Sequence, residues 1–322
     1  RTYETGLLDL PKATEIYRRL SLQDKDDHNS LRALSRLLEA QKRWDELLDI
    51  SARELAQANT DRQRAYIHFR MGSLHESQLG NISAAVMAYE RALDADQRCF
   101  PALHGLRELA AREGAWPRVI GYLKRELDLW TEPKERAAIL AHIGQVYADV
   151  HGDQERAQLH FQEAVDAYPA CVPAARALAD LFFETGRYEQ AAPHFQVITR
   201  QGLDRLPRKT RADLFYRRGV VARTLGRRLE AVERLKLALE FDGEHAEALE
   251  ALVSVWAGEP SEDAVELDSR LAEAHSAADD PIQKARIDVL RGHAAAQRMA
   301  LDSAVGHFES ALEICPDDPA IL

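Results

Sequence analysis

Cysteine is scarce in this chain: Cys99, Cys171 and Cys315 are the only three in 322 residues. Three thiols build no disulfide framework, and without a CxxC pair there is no thiolate metal site, a usage that fits a reducing compartment. No apolar run approaches the roughly 20 residues that a membrane span requires, and no leader pattern stands at the start. Aromatic residues make up only 7% of the chain. Positive charge is in deficit, with a net charge of −11, which argues against a general nucleic-acid binder. Lysine is rare beside arginine, 8 against 34, a bias that genomic base composition explains. Catalytic patterns are missing too: there is no Gly-rich phosphate loop, no HExxH, no GxSxG and no Cys/His metal spacing. His68 and His75 sit two turns apart on one helix, whereas zinc ligands on a helix are expected at four-residue spacing. Asp24-Lys25-Asp26-Asp27-His28-Asn29 lacks the central Gly and distal Glu of a calcium loop. No catalytic, cofactor-binding or metal-binding residue is therefore assigned.

What the chain does have is a recurring constellation of a small residue, a second small residue, an aromatic and a third small residue. It reads Gly72, Ala85, Tyr89, Ala92; Gly144, Ala157, Phe161, Ala164; Ala179, Ala191, Phe195, Ile198; Gly219, Ala231, Leu235, Ala238; and Gly292, Ala304, Phe308, Ala311. The last three members are spaced four and then three apart, so they share one helical face. The first lies twelve or thirteen residues upstream, on a preceding helix. Small residues let two helix axes approach to about 8–10 Å, and the aromatic fills the wedge beside the crossing. Gly80-Asn81, Gly114-Ala115, Gly152-Asp153, Gly186-Arg187 and Gly226-Arg227 separate the two helices, with Gly in a left-handed cap. Pro169, Pro316 and Gly243 close second helices. A period in the mid-thirties is the mark of a helical solenoid.

These residues closely resemble the tetratricopeptide repeat, a unit of about 34 residues with a small residue in helix A, Ala, aromatic and Ala in helix B, and a closing Pro. The resemblance implies an all-α, right-handed superhelical solenoid of about eight hairpins. It is expected as one array over residues 1–322, with a partial unit at 1–27 and units starting near 28, 65, 100, 137, 172, 212, 246 and 285. The units near 28 and 100 depart from the pattern: Ser35 and Arg107 replace the small residue, and Glu54 and Glu126 the second Ala, although Trp44 and Trp116 still mark helix B. In the unit after Ala246, Gly258-Glu259-Pro260-Ser261 replaces the usual loop. Tyr3-Glu4-Thr5-Gly6 reads as the end of a helix A, and Pro316-Asp317-Asp318-Pro319-Ala320 as the entry to another unit. Neither end shows a polar capping helix, so a fragment of a longer chain is expected.

In this family helix A lines a concave groove, and the resemblance implies that its second, fifth, sixth, ninth and twelfth positions face a ligand. Those positions give a candidate partner-binding groove of Asn29, Arg32, Arg36, Tyr66, Phe69, Arg70, His104, His142, Gln145, Arg176, Phe183, Tyr216, Arg217 and Arg223. Arg forks suit carboxylates and exposed aromatics give anchors, so the expected ligand is an extended or helical protein segment, with acidic character. The competing reading makes Tyr66, Phe69 and Phe183 packing residues and the Arg set solvated charge. The carboxylate clamp of tetratricopeptide co-chaperones is not reproduced in any unit. The expected function is a noncatalytic interaction scaffold without cofactors, nucleic acid or membrane insertion, in the cytoplasm, or in the periplasm if a leader was removed. A regulatory array of a larger enzyme or transcriptional regulator, a part of an envelope or polysaccharide-export assembly, and self-association through uncapped ends remain open.

Overall fold

In the computed structural model, residues 9–23, 27–256 and 263–316 are described. The segments at 1–8, 24–26, 257–262 and 317–322 lie outside them, and with them the two end readings and the Gly258–Ser261 loop. Among the described residues there are seventeen α-helices and no strand. They run α1 Leu10–Gln23, α2 His28–Ala40, α3 Trp44–Ala56, α4 Asp61–Ser77, α5 Ile82–Ala95, α6 Phe100–Arg112, α7 Trp116–Leu129, α8 Pro133–Asp149 and α9 Gln154–Ala167. They continue α10 Val172–Glu184, α11 Tyr188–Gln201, α12 Arg208–Thr224, α13 Arg228–Phe241, α14 Ala246–Trp256, α15 Asp263–Ala277, α16 Pro281–Gln297 and α17 Leu301–Ile314. Chain contacts divide the protein into two compact units, Arg1–Ala157 and Gln158–Leu322. Helices α1–α8 belong to the first and α10–α17 to the second.

The expected glycine caps form. Gly80, Gly114, Gly152, Gly186 and Gly226 all have φ between 61° and 71°, the left-handed region in which a Cβ is penalised. Lys42 and Met299 fill the same role in the α2–α3 and α16–α17 turns at the cost of a non-glycine left-handed residue.

Helix starts at 28, 100, 172 and 246 coincide with the sequence register. Helices α4, α8, α12 and α16 instead begin one turn before the positions 65, 137, 212 and 285. Their caps explain the extra turn. Thr60 and Gln63 form a reciprocal capping box before α4, Pro133 and Pro281 occupy the first turns of α8 and α16, and Pro207 precedes α12. These four helices have 17 residues each, while α2, α6 and α10 have 13. Short and long A helices therefore alternate, and the starts His28, Phe100 and Val172 fall 72 residues apart. The structural repeat is a pair of hairpins.

In the first unit the crossing of α4 and α5 shows why the small residues are there. A Cβ on Gly72 would stand 2.6 Å from the Tyr89 ring, and one on Gly105 of α6 would stand 2.7 Å from the ring's other edge. Tyr89 is thus clasped between two glycines, 2% exposed, with its hydroxyl donating to Glu76 at 2.7 Å. Arg112 of α6 donates to the other oxygen of Glu76 at 3.0 Å. Burial, with the Glu76 contact, pushes the Tyr89 phenol well above its ordinary range. In the second unit Gly219 meets Leu235 and Gly292 meets Phe308 in the same way.

The two departing units replace close packing with a polar tie. Ser35 donates to Glu54 at 3.0 Å, and Arg107 donates to Glu126 at 2.7 Å, so the residues standing in for a small pair join helix A to helix B directly. Each exchange is coupled: a longer polar residue in one helix is met by a carboxylate in the other.

Candidate functional site

The first unit has a cleft of about 610 Å³ where α2, the end of α3 and the extra first turn of α4 meet. Its lining includes Asp27, Asn29 and Arg32 from the start of α2, Glu54 and Asn59 from the α3–α4 junction, and Gln63, Tyr66 and Arg70 from α4. Asp27 holds the entry of α2 by accepting from the amides of Asn29 and Ser30. The Ser30 hydroxyl and amide keep the Asp27 carboxyl below its usual range. On the opposite wall Glu54 accepts from Ser35 and from Arg70, the latter at 3.1 Å, and the Arg70 guanidinium lies 5.9 Å from the Tyr66 ring centre.

The structure therefore brings four of the sequence-derived groove residues, Asn29, Arg32, Tyr66 and Arg70, into one cleft. Their chemical states differ. Arg70 is committed to Glu54. Arg32 is exposed and has neither hydrogen bond nor ion pair among the described residues, and Tyr66 is 59% exposed. Phe69 is not among the cleft's lining residues: it is half-buried and stacks on Tyr89 of α5 at 5.9 Å. Arg36 is exposed one turn further along α2, outside the cleft. His104 on α6 sits 2.8 Å from Arg107, Gln145 on α8 donates to Asp149 at 2.8 Å, and His142 is exposed on α8.

The remaining five candidates lie in the second unit. Arg217 is neutralised within its own chain, bonded to Asp180 at 3.0 Å and to Asp213 at 2.9 Å, with the Phe183 ring centre 5.3 Å away. Burial pushes the Asp180 carboxyl up by more than Arg217 and Arg176 pull it down. Phe183 is half-buried and meets Phe195 edge-on at 6.2 Å, again a packing role. Tyr216 packs on His245 at 5.0 Å, Arg223 donates to Ser254 at 2.5 Å, and Arg176 is exposed. Of the Arg set, two are held by carboxylates, so this surface is less basic than its sequence suggests. Sequence positions could not reveal Glu54 as the counter-charge of Arg70, because it belongs to a helix B site where the repeat pattern expects Ala.

The arrangement spends its hydroxyl–carboxylate contacts, Ser30 on Asp27 and Ser35 on Glu54, on the start of α2 and on the α2–α3 tie. It offers a polar trough with one unneutralised guanidinium, one exposed ring and amide side chains at its edges.

Family models described as tetratricopeptide repeat match residues 65–99 and 147–202. No curated protein matches the chain in sequence. Among solved structures, the C-terminal part of a TPR repeat-containing protein from Cytophaga hutchinsonii is similar over 76% of this chain and 95% of its own length, at 16% identity and a TM-score of 0.50. YrrB, described as a TPR protein with an unusual peptide-binding site, is similar over 58% of this chain and 91% of its own, at 21% identity and a TM-score of 0.40. MamA is similar over 55% and 91%, at 19% identity and a TM-score of 0.42. At these identities the likeness is one of fold. Repeats of this type serve in protein–protein interaction, and the matched segments and the hairpin architecture lead to one conclusion: the chain carries tetratricopeptide repeats within an all-α repeat fold.

Proposed function

We propose that the chain is a noncatalytic interaction scaffold and that its cleft between α2 and α4 takes an extended, acidic segment of a protein partner. The observation that carries this reading is Arg32, an exposed guanidinium with no partner among the described residues, opening onto the same cleft as the 59%-exposed Tyr66. A carboxylate on the partner would receive the Arg32 fork, and an apolar neighbour would cover Tyr66, an aromatic that orders at low entropic cost. Asn29 and Gln63 would accept and donate along the segment's backbone.

The test is affinity capture from an extract of the protein's own cell, comparing the unaltered chain with an Arg32→Glu, Tyr66→Ala variant. Arg70 and Arg217 are left intact, since reversing them would break the bonds to Glu54, Asp180 and Asp213 and confuse folding with binding. A protein retained by the unaltered chain and lost with the variant supports the cleft as the site. Identical captures refute it.

A further inference from the structure

The acidic balance of the chain conceals a basic island. Between Arg200 and Lys236 stand twelve Lys or Arg and four Asp or Glu, a net +8, which leaves −19 on the remainder. Most cations in the second half of this stretch are accounted for. Lys236 pairs with Glu266 at 2.5 Å, Arg217 with Asp180 and Asp213, and Glu230 alone serves Arg218, Arg227 and Arg234 at 3.7–3.9 Å. The first twelve residues differ. Arg200, Arg205, Arg208, Lys209 and Arg211 share the α11–α12 junction with a single acid, Asp204. None of the five has a carboxylate within ion-pair distance among the described residues. Arg208 donates to the Glu240 carbonyl at 3.2 Å and Arg211 to the carbonyls of Leu206 and Asp204, while Arg200, Arg205 and Lys209 are exposed and unbonded.

Folding does not explain this concentration. Cations in the first turn of a helix oppose its dipole, and Arg208, Lys209 and Arg211 stand in the first turn of α12, which has no acid there and no side-chain cap. Its connector, residues 202–207, is also the longest between successive hairpins among the described residues, enlarged by a 3-10 turn at Leu203–Arg205. Insertions in repeat arrays gather on a face that binds.

We propose that the α11–α12 junction is a second docking surface, distinct from the cleft, for a short acidic segment of a partner protein. A short segment is favoured over a nucleic acid or a membrane because of what borders the patch. Arg208 touches the backbone of Glu240, and Asp242, Glu244, Glu247 and Glu250 follow within ten residues. A polyanion extending past the patch on that side would meet those carboxylates. A few carboxylates in sequence would be covered by the patch alone.

The test uses fluorescence anisotropy with two fluorescein-labelled probes, a ten-residue peptide of alternating Glu and Gly and a single-stranded DNA of twenty nucleotides. The peptide is expected to bind, more weakly at 200 mM than at 50 mM salt. Arg205→Glu with Lys209→Glu should lower its affinity about tenfold, because two attractions become two repulsions. Arg205→Gln with Lys209→Gln should lower it less and serves if the reversal does not fold, as judged by circular dichroism. All of these measurements are made in an Arg32→Glu, Tyr66→Ala background, so that the cleft, itself proposed to take acidic segments, does not contribute to the signal. The proposal is overturned if the peptide does not bind, if neither double variant weakens it, or if the DNA binds more tightly than the peptide and loses affinity with the same two changes.

Discussion

The clasp around Tyr89 makes a sign prediction for a single chemical change, glycine to alanine. In an exposed helix interior that change stabilises by up to about 1 kcal/mol, because alanine loses less backbone entropy on folding. Gly121 on α7 is such a site, with nothing within 4 Å of the Cβ it would gain. At Gly72 the same Cβ would lie 2.6 Å from two carbons of the Tyr89 ring, and at Gly105 it would lie 2.7 Å from the opposite edge. The ring cannot move away from one glycine without approaching the other, and its hydroxyl is tethered to Glu76. Overpacking of this kind costs about 1–3 kcal/mol. Set against the alanine gain, Gly72→Ala and Gly105→Ala should come out destabilising by about 0–2 kcal/mol. Gly121→Ala should stabilise by about 0.5–1 kcal/mol. Urea unfolding followed by helical circular dichroism gives the overall change, and hydrogen exchange of the α5 amides reports it locally, since neighbouring repeats open with some independence. In a Tyr89→Ala background the clash is gone, so Gly72→Ala should turn stabilising, a coupling that the double-mutant cycle reads directly. The reasoning fails if Gly72→Ala shifts stability by the same amount and sign as Gly121→Ala.

Two further outcomes follow from buried titratable groups. His194 is buried against Phe182, and burial holds its imidazole below the ordinary 6.5, so in mildly acid solution the unfolded chain binds a proton that the folded chain refuses. Its contribution is complete above pH 6.5 and declines as pH falls from there to the lowered folded value; His194→Gln should flatten, but not abolish, the loss of stability between pH 7.5 and 5.5, because His68 and His307 are lowered in the same direction. Cys171 is 6% exposed with its thiol pushed up by burial, so a thiol reagent followed by mass spectrometry should label it last of the three cysteines, and labelling at the rate of Cys315 would contradict its placement.

The parts of the fold that repeat were readable from residue type alone. Glycine with φ above 60°, alanine at the crossings and the aromatic beside them each have one dominant physical use, so Gly80, Ala85 and Tyr89 announced their places. What escaped was pairwise. The extra turns of α4, α8, α12 and α16 depend on Thr60 with Gln63 and on prolines that precede the register positions by a turn, and a register counted from the small residues passes over them. The ties Ser35–Glu54 and Arg107–Glu126 looked like two separate flaws in the pattern, because their compensation is visible only when both helices are in place. The cleft was half legible: helix A positions supplied Arg32 and Tyr66, while the acid that removes Arg70 from availability came from helix B. The basic island was present in the sequence but diluted by the average, and counting charge over a window of one repeat rather than over the chain would have exposed it.

The alternation of short and long A helices also sets the unit in which this array can change length. A deletion of one hairpin would splice two helices of the same kind together and bring, for example, a Ser35-type polar tie where a Gly72-type glycine is needed. A deletion of 72 residues, joining Asp27 directly to Phe100, would keep short and long A helices alternating. A designer shortening or extending the array should therefore cut at intervals of two hairpins, which preserve the alternation of helix lengths.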